Sequence, residues 1–223
     1  MSELRTPVVI LGAGGYAGVV YEILRMRPDV MVLGSIDKAL GLSERSLSEE
    51  SPLPILGDDD YLPMLADQYE NLHAILGLGP DLMSVRARLV YTLQRQGIPQ
   101  INAIHPQAIV SEDAVLGAGA VIRAGAVVSS QTVFGDACAV CVGASIDHHV
   151  TLGTNVFVGQ GAHISSYVYV GDHVVIEIGA MVNRRVVIGE GARIMGGAFI
   201  NTDVPARAVV IGVPGRVVRY LEE

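Results

Sequence analysis

Asp147, His148 and His149 stand side by side in the middle of the chain and are the residues best equipped for chemistry. A neutral imidazole is the side chain most suited to accept a proton near pH 7. An adjacent carboxylate orients such a ring and stabilises its charged form, which supplies the second half of an acid/base site. Ser130 and Ser166 lie 18 residues before and after His148 and leave a polar notch around it. Of the other histidines, His105 and His173 read as solvated and His73 as structural. His163 lies on an outward strand face, where solvation or a ligand or interface role are both open.

A second candidate is the glycine-rich turn Gly12, Gly14 and Gly15, placed between an apolar strand and a helix. Backbone amides and the helix dipole favour a phosphate there. Asp37 closes the next strand, near where a dinucleotide fold places its ribose-binding acid. Lys38, the only Lys in the chain, lies beside it at the carboxyl end of a strand, where ligands of open α/β sheets bind. By motif alone NAD is a candidate, as is a turn of tight-packing glycines with no ligand. A nucleotide-sugar takes precedence over NAD because no dehydrogenase catalytic domain follows.

These groups must be positioned by two regions of different composition. Residues 1–100 carry 17 Leu, whereas residues 101–223 carry only Leu116, Leu152 and Leu221 but 24 Val and 12 Ile. The β-branched types suit a pleated, half-buried surface. Stepping by six from Ile104 to Ile200 meets 17 positions, all apolar, and four residues after each comes Ala, Thr, Cys or Val. Each hexad is one short strand and one turn, with the aliphatic and the small residue on the inward face. Three strands make a triangular coil, so residues 18 apart stack, and the hexads give five to six coils of a parallel β-helix. Phe134 is the one oversized inward residue, suited to a wide corner. The first region alternates strands at Val8–Leu11, Val30–Ile36 and His73–Gly77 with helices at Tyr16–Arg27, Asp58–Gln68 and Ser84–Gln96. Residues 39–54 read as loop. The expected fold is therefore α/β plus all-β, a small Rossmann-like domain over 1–100 and a left-handed parallel β-helix with a C-terminal tail over 101–223.

Composition narrows the partners. The mean hydropathy of +0.44 would suit a membrane protein, but the longest run of apolar residues and Gly, Val8–Tyr21, is 14 residues, short of the ~20 that span a bilayer. No charged-then-apolar leader opens the sequence, so a cytoplasmic location is expected. The net charge of −8 and the absence of a basic run argue against nucleic acid. Cys138 falls in the small-residue column, so it and Cys141 read as reduced core thiols.

The GAGG turn, the Asp at the second strand end, the hexapeptide repeat and the closing VIGVPGRVVR segment together resemble the sialic acid O-acetyltransferase / UDP-amino-sugar N-acetyltransferase family over essentially the whole chain. The resemblance implies an acetyl-CoA-dependent homotrimer with active sites between subunits. A nucleotide-activated amino sugar would dock on the α/β domain, and CoA would lie along the groove between β-helices. It implies that His148 is the general base and that Gly12, Gly14, Gly15, Asp37 and Lys38 line the nucleotide pocket, with Gly77 and Gly79 on a neighbouring loop. Ile178, Gly179, Gly196 and Gly197 would border the pantetheine arm, and Arg216 would meet CoA phosphates. His149 stands where the family has a carboxylate, Phe157 where it has a second His near the acetyl group, Tyr16 where its turn has His, and Ser166 where a Gly amide faces the thioester. Asp147 is the alternative carboxylate, and the Ser166 amide can still serve. Trimeric zinc β-helices resembling γ-type carbonic anhydrases draw on a close His pair whose spacing no pair here shares, so no metal is expected. The implied reaction is N-acetylation of a 4-amino-4,6-dideoxy sugar on a nucleotide. O-acetylation of a sialic acid-type sugar and a catalytically weak nucleotide-sugar-binding protein are the alternatives. Outward apolar residues Val142, Phe157, Tyr167 and Tyr169 suit subunit contacts.

Overall fold

The computed structural model describes residues 5–38 and 53–222. The loop expected over 39–54 lies, but for Leu53 and Pro54, outside the described residues. The chain divides into two compact units, Met1–Ala103 and Ile104–Glu223.

In the first unit, strand β1 (Thr6–Leu11) is buried from its second residue on. It pairs in parallel with β2 (Val30–Ile36) on one side and β4 (His73–Leu76) on the other. β3 (Ile55–Gly57) adds to the far edge of β2, giving the order β3-β2-β1-β4. Near-continuous apolar runs are what a parallel sheet covered on both faces requires. Helix α1 (Gly15–Leu24) buries Ala17, Val20, Ile23 and Leu24, one stripe at helical spacing, and packs on β1 and β2. It stops short of the expected Arg27, because Pro28 keeps the residue before it out of the helical region. The helix expected from Asp58 opens instead as a single 3-10 turn, Asp59–Tyr61, in which the Asp58 carboxylate accepts the Asp60 amide. Helix α2 (Leu62–Gln68) follows with Pro63 in its first turn. Helix α3 (Met83–Gln96) packs on β4 and ends on Gly97 at a left-handed φ of 68°. The sequence pattern does not announce β3, whose three residues carry no alternation.

The second unit is a coil of two-residue strands on three faces. Ser145–Ile146 pairs with Val127–Val128 below and His163–Ile164 above, each 18 residues away, and the other faces repeat this register. The inward residues of the hexads, among them Ile122, Ile146, Leu152, Val158 and Ile176, are buried with the small column between them. Cys138 and Cys141 are free and buried, and the Cys138 thiol donates to the Gly153 carbonyl. Phe134 is buried at the level of Leu152. The hexad of Leu116 is an exception to the strand pattern. Only Val115 bridges, to Val133, because this face has no preceding coil to pair with. The chain closes with an antiparallel hairpin, Ala208–Ile211 with Arg216–Tyr220.

One corner of the coil leaves no room for side chains. A Cβ on Gly135 would lie 2.7 Å from the carbonyl carbon of Gly153 and the amide nitrogen of Thr154 in the next coil. Its φ is ordinary, so a Gly→Ala change there would otherwise stabilise by about 0.4–1 kcal/mol through the unfolded chain. Coil contact reverses the sign: Gly135→Ala is expected to lower stability by about 1–3 kcal/mol in denaturant titration. Equal or greater stability in that variant would contradict the close approach.

Candidate active site

At the carboxyl ends of β1, β2 and β4 the first unit holds a cavity of about 390 Å³. β1 enters it through Gly12, whose φ is +111°. A Cβ on Gly12 would sit 2.6 Å from Leu78 Cδ2 and 2.9 Å from the Gly77 carbonyl, so the turn needs glycine twice over. Gly14 caps α1, whose first turn carries no acidic residue, leaving the positive end of the helix uncompensated. Asp37 Oδ2 accepts the Ala13 amide at 2.8 Å, so this carboxylate clamps the glycine turn from the end of β2.

Gly12, Ile36, Asp37 and Lys38 line one side of the cavity, and Leu78, Leu82, Val85 and Leu89 supply apolar wall. Asp59 and Arg88 also line it and form an ion pair at 3.3 Å. Gly14, Gly15, Gly77 and Gly79 are not on the wall. Gly77 serves packing: a Cβ there would meet Ile10 Cγ2 at 2.6 Å and Ala17 Cβ at 2.8 Å. Around Gly15 and Gly79 there is open space. Arg86 is buried and donates from Nη1 to the Leu78 carbonyl at 2.7 Å, which fixes the loop between β4 and α3. Sequence reasoning missed Arg86, Arg88 and Asp59. On an amphipathic helix and an acidic run, charged residues read as solvated, and nothing local tells which of them turns inward.

The histidine cluster occupies a turn of the second unit after Ser145–Ile146. Asp147 Oδ1 accepts the amide of His148 at 2.8 Å. Asn183, two coils on, accepts the Arg184 amide at 2.9 Å in the same way. This place in the repeat is an Asx turn, and the Asp147 carboxylate is engaged by backbone. The partner of the His148 ring is His149, with the two Nδ1 atoms 2.9 Å apart. The two rings are nearly perpendicular, with centroids 5.0 Å apart. Tyr167, one coil on, stacks on His149 at 4.7 Å and 28°, and meets His148 edge-on at 5.3 Å. The Arg185 guanidinium lies 5.7 Å from the Tyr167 ring centre, a cation–π distance. Gln131, His149, Tyr167 and Arg185 thus share one left-handed turn position in successive coils, with φ of 56–62°. Tyr167 and Arg185 were legible in the sequence only as surface, although their 18-residue spacing from His149 was present.

The Ser166 carbonyl accepts the Arg185 amide at 3.1 Å, while the Ser166 amide finds no acceptor among the described residues. It therefore remains a donor for something outside the chain. Each of the other histidines has a local partner: Asn71 for His73, Gln107 for His105, Ser145 for His163 and Asn155 for His173.

A different corner carries the residues expected along a pantetheine arm. Gly143, Gly161, Gly179 and Gly197 succeed one another at φ of 61–69°, and a Cβ on any of them would meet nothing within 4 Å. Exposed Ile178 borders this strip, and Gly196 packs on its Cγ2 at 3.2 Å from a built Cβ. Glu177 holds Arg193 Nε at 2.8 Å and the Gly196 amide at 3.3 Å. Arg216 is exposed on the terminal hairpin and donates to the Gly215 carbonyl. Phe157, on the outward side of its strand, is only 3% exposed, so it does not join these residues at the surface. Among the described residues no group of three or more His, Cys, Asp or Glu is placed to hold a metal ion. No helix among them is long and apolar enough to cross a membrane.

No family model matches the chain, and no curated protein matches it in sequence. Solved structures do. A perosamine N-acetyltransferase variant from Caulobacter crescentus, in complex with CoA and GDP-perosamine, is 31% identical, with a TM-score of 0.85 over 95% of this chain and 96% of that one. The acetyltransferase domain of PglB from Neisseria gonorrhoeae, in complex with acetyl coenzyme A, is 26% identical, with a TM-score of 0.85 over 96% of this chain and 100% of that one. WeeI from Acinetobacter baumannii shares the fold at 22% identity and a TM-score of 0.82, over 95% of this chain and 99% of that one. With a 31% identical relative matched over nearly its whole length, and a coil of stacked hexads of the same kind, the chain belongs to the UDP-amino-sugar N-acetyltransferase family of hexapeptide-repeat acetyltransferases.

Proposed function

We propose that the protein transfers the acetyl group of acetyl-CoA to the amino group of a nucleotide-linked 4-amino-4,6-dideoxy sugar, with His148 as the general base. The observation that carries this reading is His148 itself: a half-buried imidazole on a turn of a coil whose relative, an N-acetyltransferase, was solved with CoA and GDP-perosamine.

The first unit is read as a Rossmann-like nucleotide-sugar domain. Its cavity offers apolar wall for a base, and Lys38 with the uncompensated start of α1 offers positive potential for phosphates. The second unit is read as a left-handed β-helix acyltransferase domain. Its side-chain-free glycine corner fits a pantetheine arm lying against backbone at Gly179 and Gly197, with Ile178 and Gly196 beside it and Arg216 at the phosphates. The amine attacks the thioester carbonyl, and His148 takes a proton from the attacking nitrogen. The C–N bond forms, the C–S bond breaks, and the proton passes to the departing thiolate. Base catalysis of this kind typically contributes ~10²–10⁴ in rate. The Ser166 amide is placed to stabilise the oxyanion, a role worth about 10²–10³. Exposed Val142, Tyr167 and Tyr169 support a homotrimer with active sites between subunits. Both substrates are metabolites of the cytoplasm, which supports that location and a role in polysaccharide biosynthesis.

His148→Ala is expected to reduce thiol release from acetyl-CoA by about 100-fold or more while circular dichroism and oligomeric state stay unchanged. Undiminished turnover would remove His148 from the mechanism. A panel of nucleotide-linked sugars distinguishes the chemistries. Turnover with amino acceptors alone is expected. Turnover with hydroxylated acceptors would mark an O-acetyltransferase, and affinity without turnover a binding protein. Lys38→Ala is expected to raise KM for the nucleotide sugar about tenfold or more with kcat held, the loss of one charge-assisted contact. An unchanged KM would move the phosphates away from Lys38.

A further inference from the structure

We infer that His149 is a positioning residue for acetyl transfer: through the Nδ1–Nδ1 hydrogen bond it holds His148 in the tautomer whose Nε2 is free to take a proton. The inference rests on the reading of His148 as base and names the group that prepares it.

Two ring nitrogens 2.9 Å apart cannot both present lone pairs, nor both present protons. One proton lies between them. When His148 Nδ1 carries it, His148 Nε2 is bare and His149 Nδ1 accepts. The same hydrogen bond survives when Nε2 takes the substrate's proton, because the imidazolium still donates from Nδ1. It then becomes charge-assisted and stronger, so His149 stabilises the charge as it develops rather than beforehand. The opposite tautomer would place a proton on His148 Nε2 and leave it no base.

Asp147 is not free for this work, since its Oδ1 accepts the His148 backbone amide at 2.8 Å. Its counterpart Asn183 does the same for Arg184, which identifies the bond as part of the coil's turn geometry. His149 has the complementary qualities. Its ring is set by Tyr167, stacked at 4.7 Å and 28°, so its acceptor stays aimed at His148. The charged and titratable groups facing the pair are Asp147 on the same turn, Tyr167 one coil on and Arg185 beyond it. Ser130 and Ser166 on the flanking turns are neutral. The pair can hold one added proton with its hydrogen bond intact, whereas a second would set N–H against N–H.

Three variants of position 149 test this, with kcat, KM and pH profile as readouts. Asn tolerates a left-handed φ and carries its Oδ1 close to where Nδ1 stands, so it keeps an acceptor. His149→Ala is expected to lower kcat about 10- to 100-fold, part of the ~10²–10⁴ a positioned base supplies, with both KM values within twofold of wild type. His149→Asn is expected to recover most of that loss. His149→Asp is expected to shift the acid limb of kcat to higher pH, because a carboxylate favours the imidazolium. Wild-type kcat and pH profile in the Ala variant, an effect on KM instead of kcat, or no recovery with Asn would each overturn the assignment. Nitrogen-15 shifts of the wild-type rings give a test without mutation: His148 protonated at Nδ1 supports the assignment, and protonated at Nε2 overturns it. Activity retained in His148→Ala would bring down the base itself. A silent His148→Ala with a fully active His149→Ala would bring down only the role of His149.

Discussion

A strand of two residues holds little by itself, and the second unit is made of almost nothing else. Each such strand exists because the strands 18 residues before and after it supply its hydrogen bonds. Val127 donates to Ala144, Ser145 to Ala162 and His163 to Ala180, one rung to the next. That register fixes the coil spacing at about 4.8 Å and makes every residue a direct neighbour of the one 18 places away. The polar corner is built on this arithmetic alone. His149, Tyr167 and Arg185 are distant in sequence yet stacked in order, and the tyrosine ring lies flat on the histidine because the register allows no other neighbour.

The same backbone turn is used in three chemically different ways at the three corners. Where coils approach closest, as at Gly135, glycine answers to space. Where the left-handed turn is lined by Gly143, Gly161, Gly179 and Gly197, the backbone is bare and accessible. Where the same φ is borne by Gln131, His149, Tyr167 and Arg185, each residue accepts a conformation that disfavours a Cβ by roughly 1–2 kcal/mol. The side chains gathered at that corner are what the strain secures, and they are the ones that carry the proposed chemistry.

Periodicity made the coil legible before any coordinates. An aliphatic residue at every sixth position and a small one between leave one packing solution, down to the place of Cys138 and Phe134 in the core. In the first unit, the buried runs of β1, β2 and β4 and the apolar stripe of α1 were equally plain. What pattern could not supply was direction. Asp147 beside His148 suggested a carboxylate aimed at imidazole, yet the repeat assigns that position to backbone capping. Gly77 suggested a ligand contact but clears space for Ala17. Arg88 and Asp59 meet across 29 residues of chain, and Arg86 reaches back into the core from a helix whose charged residues look solvated. Three residues of β3 are too few to show any period. These are all facts about which way a side chain faces, and they follow from tertiary packing.

A stack held together only by adjacent rungs behaves as a one-dimensional lattice, in which opening begins at the ends and works inward. Ser145–Ile146, which leads into the His148 turn, is third of the six strands on its face, with two before it and three after. Fraying from either end must therefore dissolve intact rungs before it reaches this turn. Amides near His148 should accordingly exchange with solvent among the slowest of their face, and those near Ile109 and Phe199 sooner. The proton-transfer machinery sits where thermal unravelling arrives last.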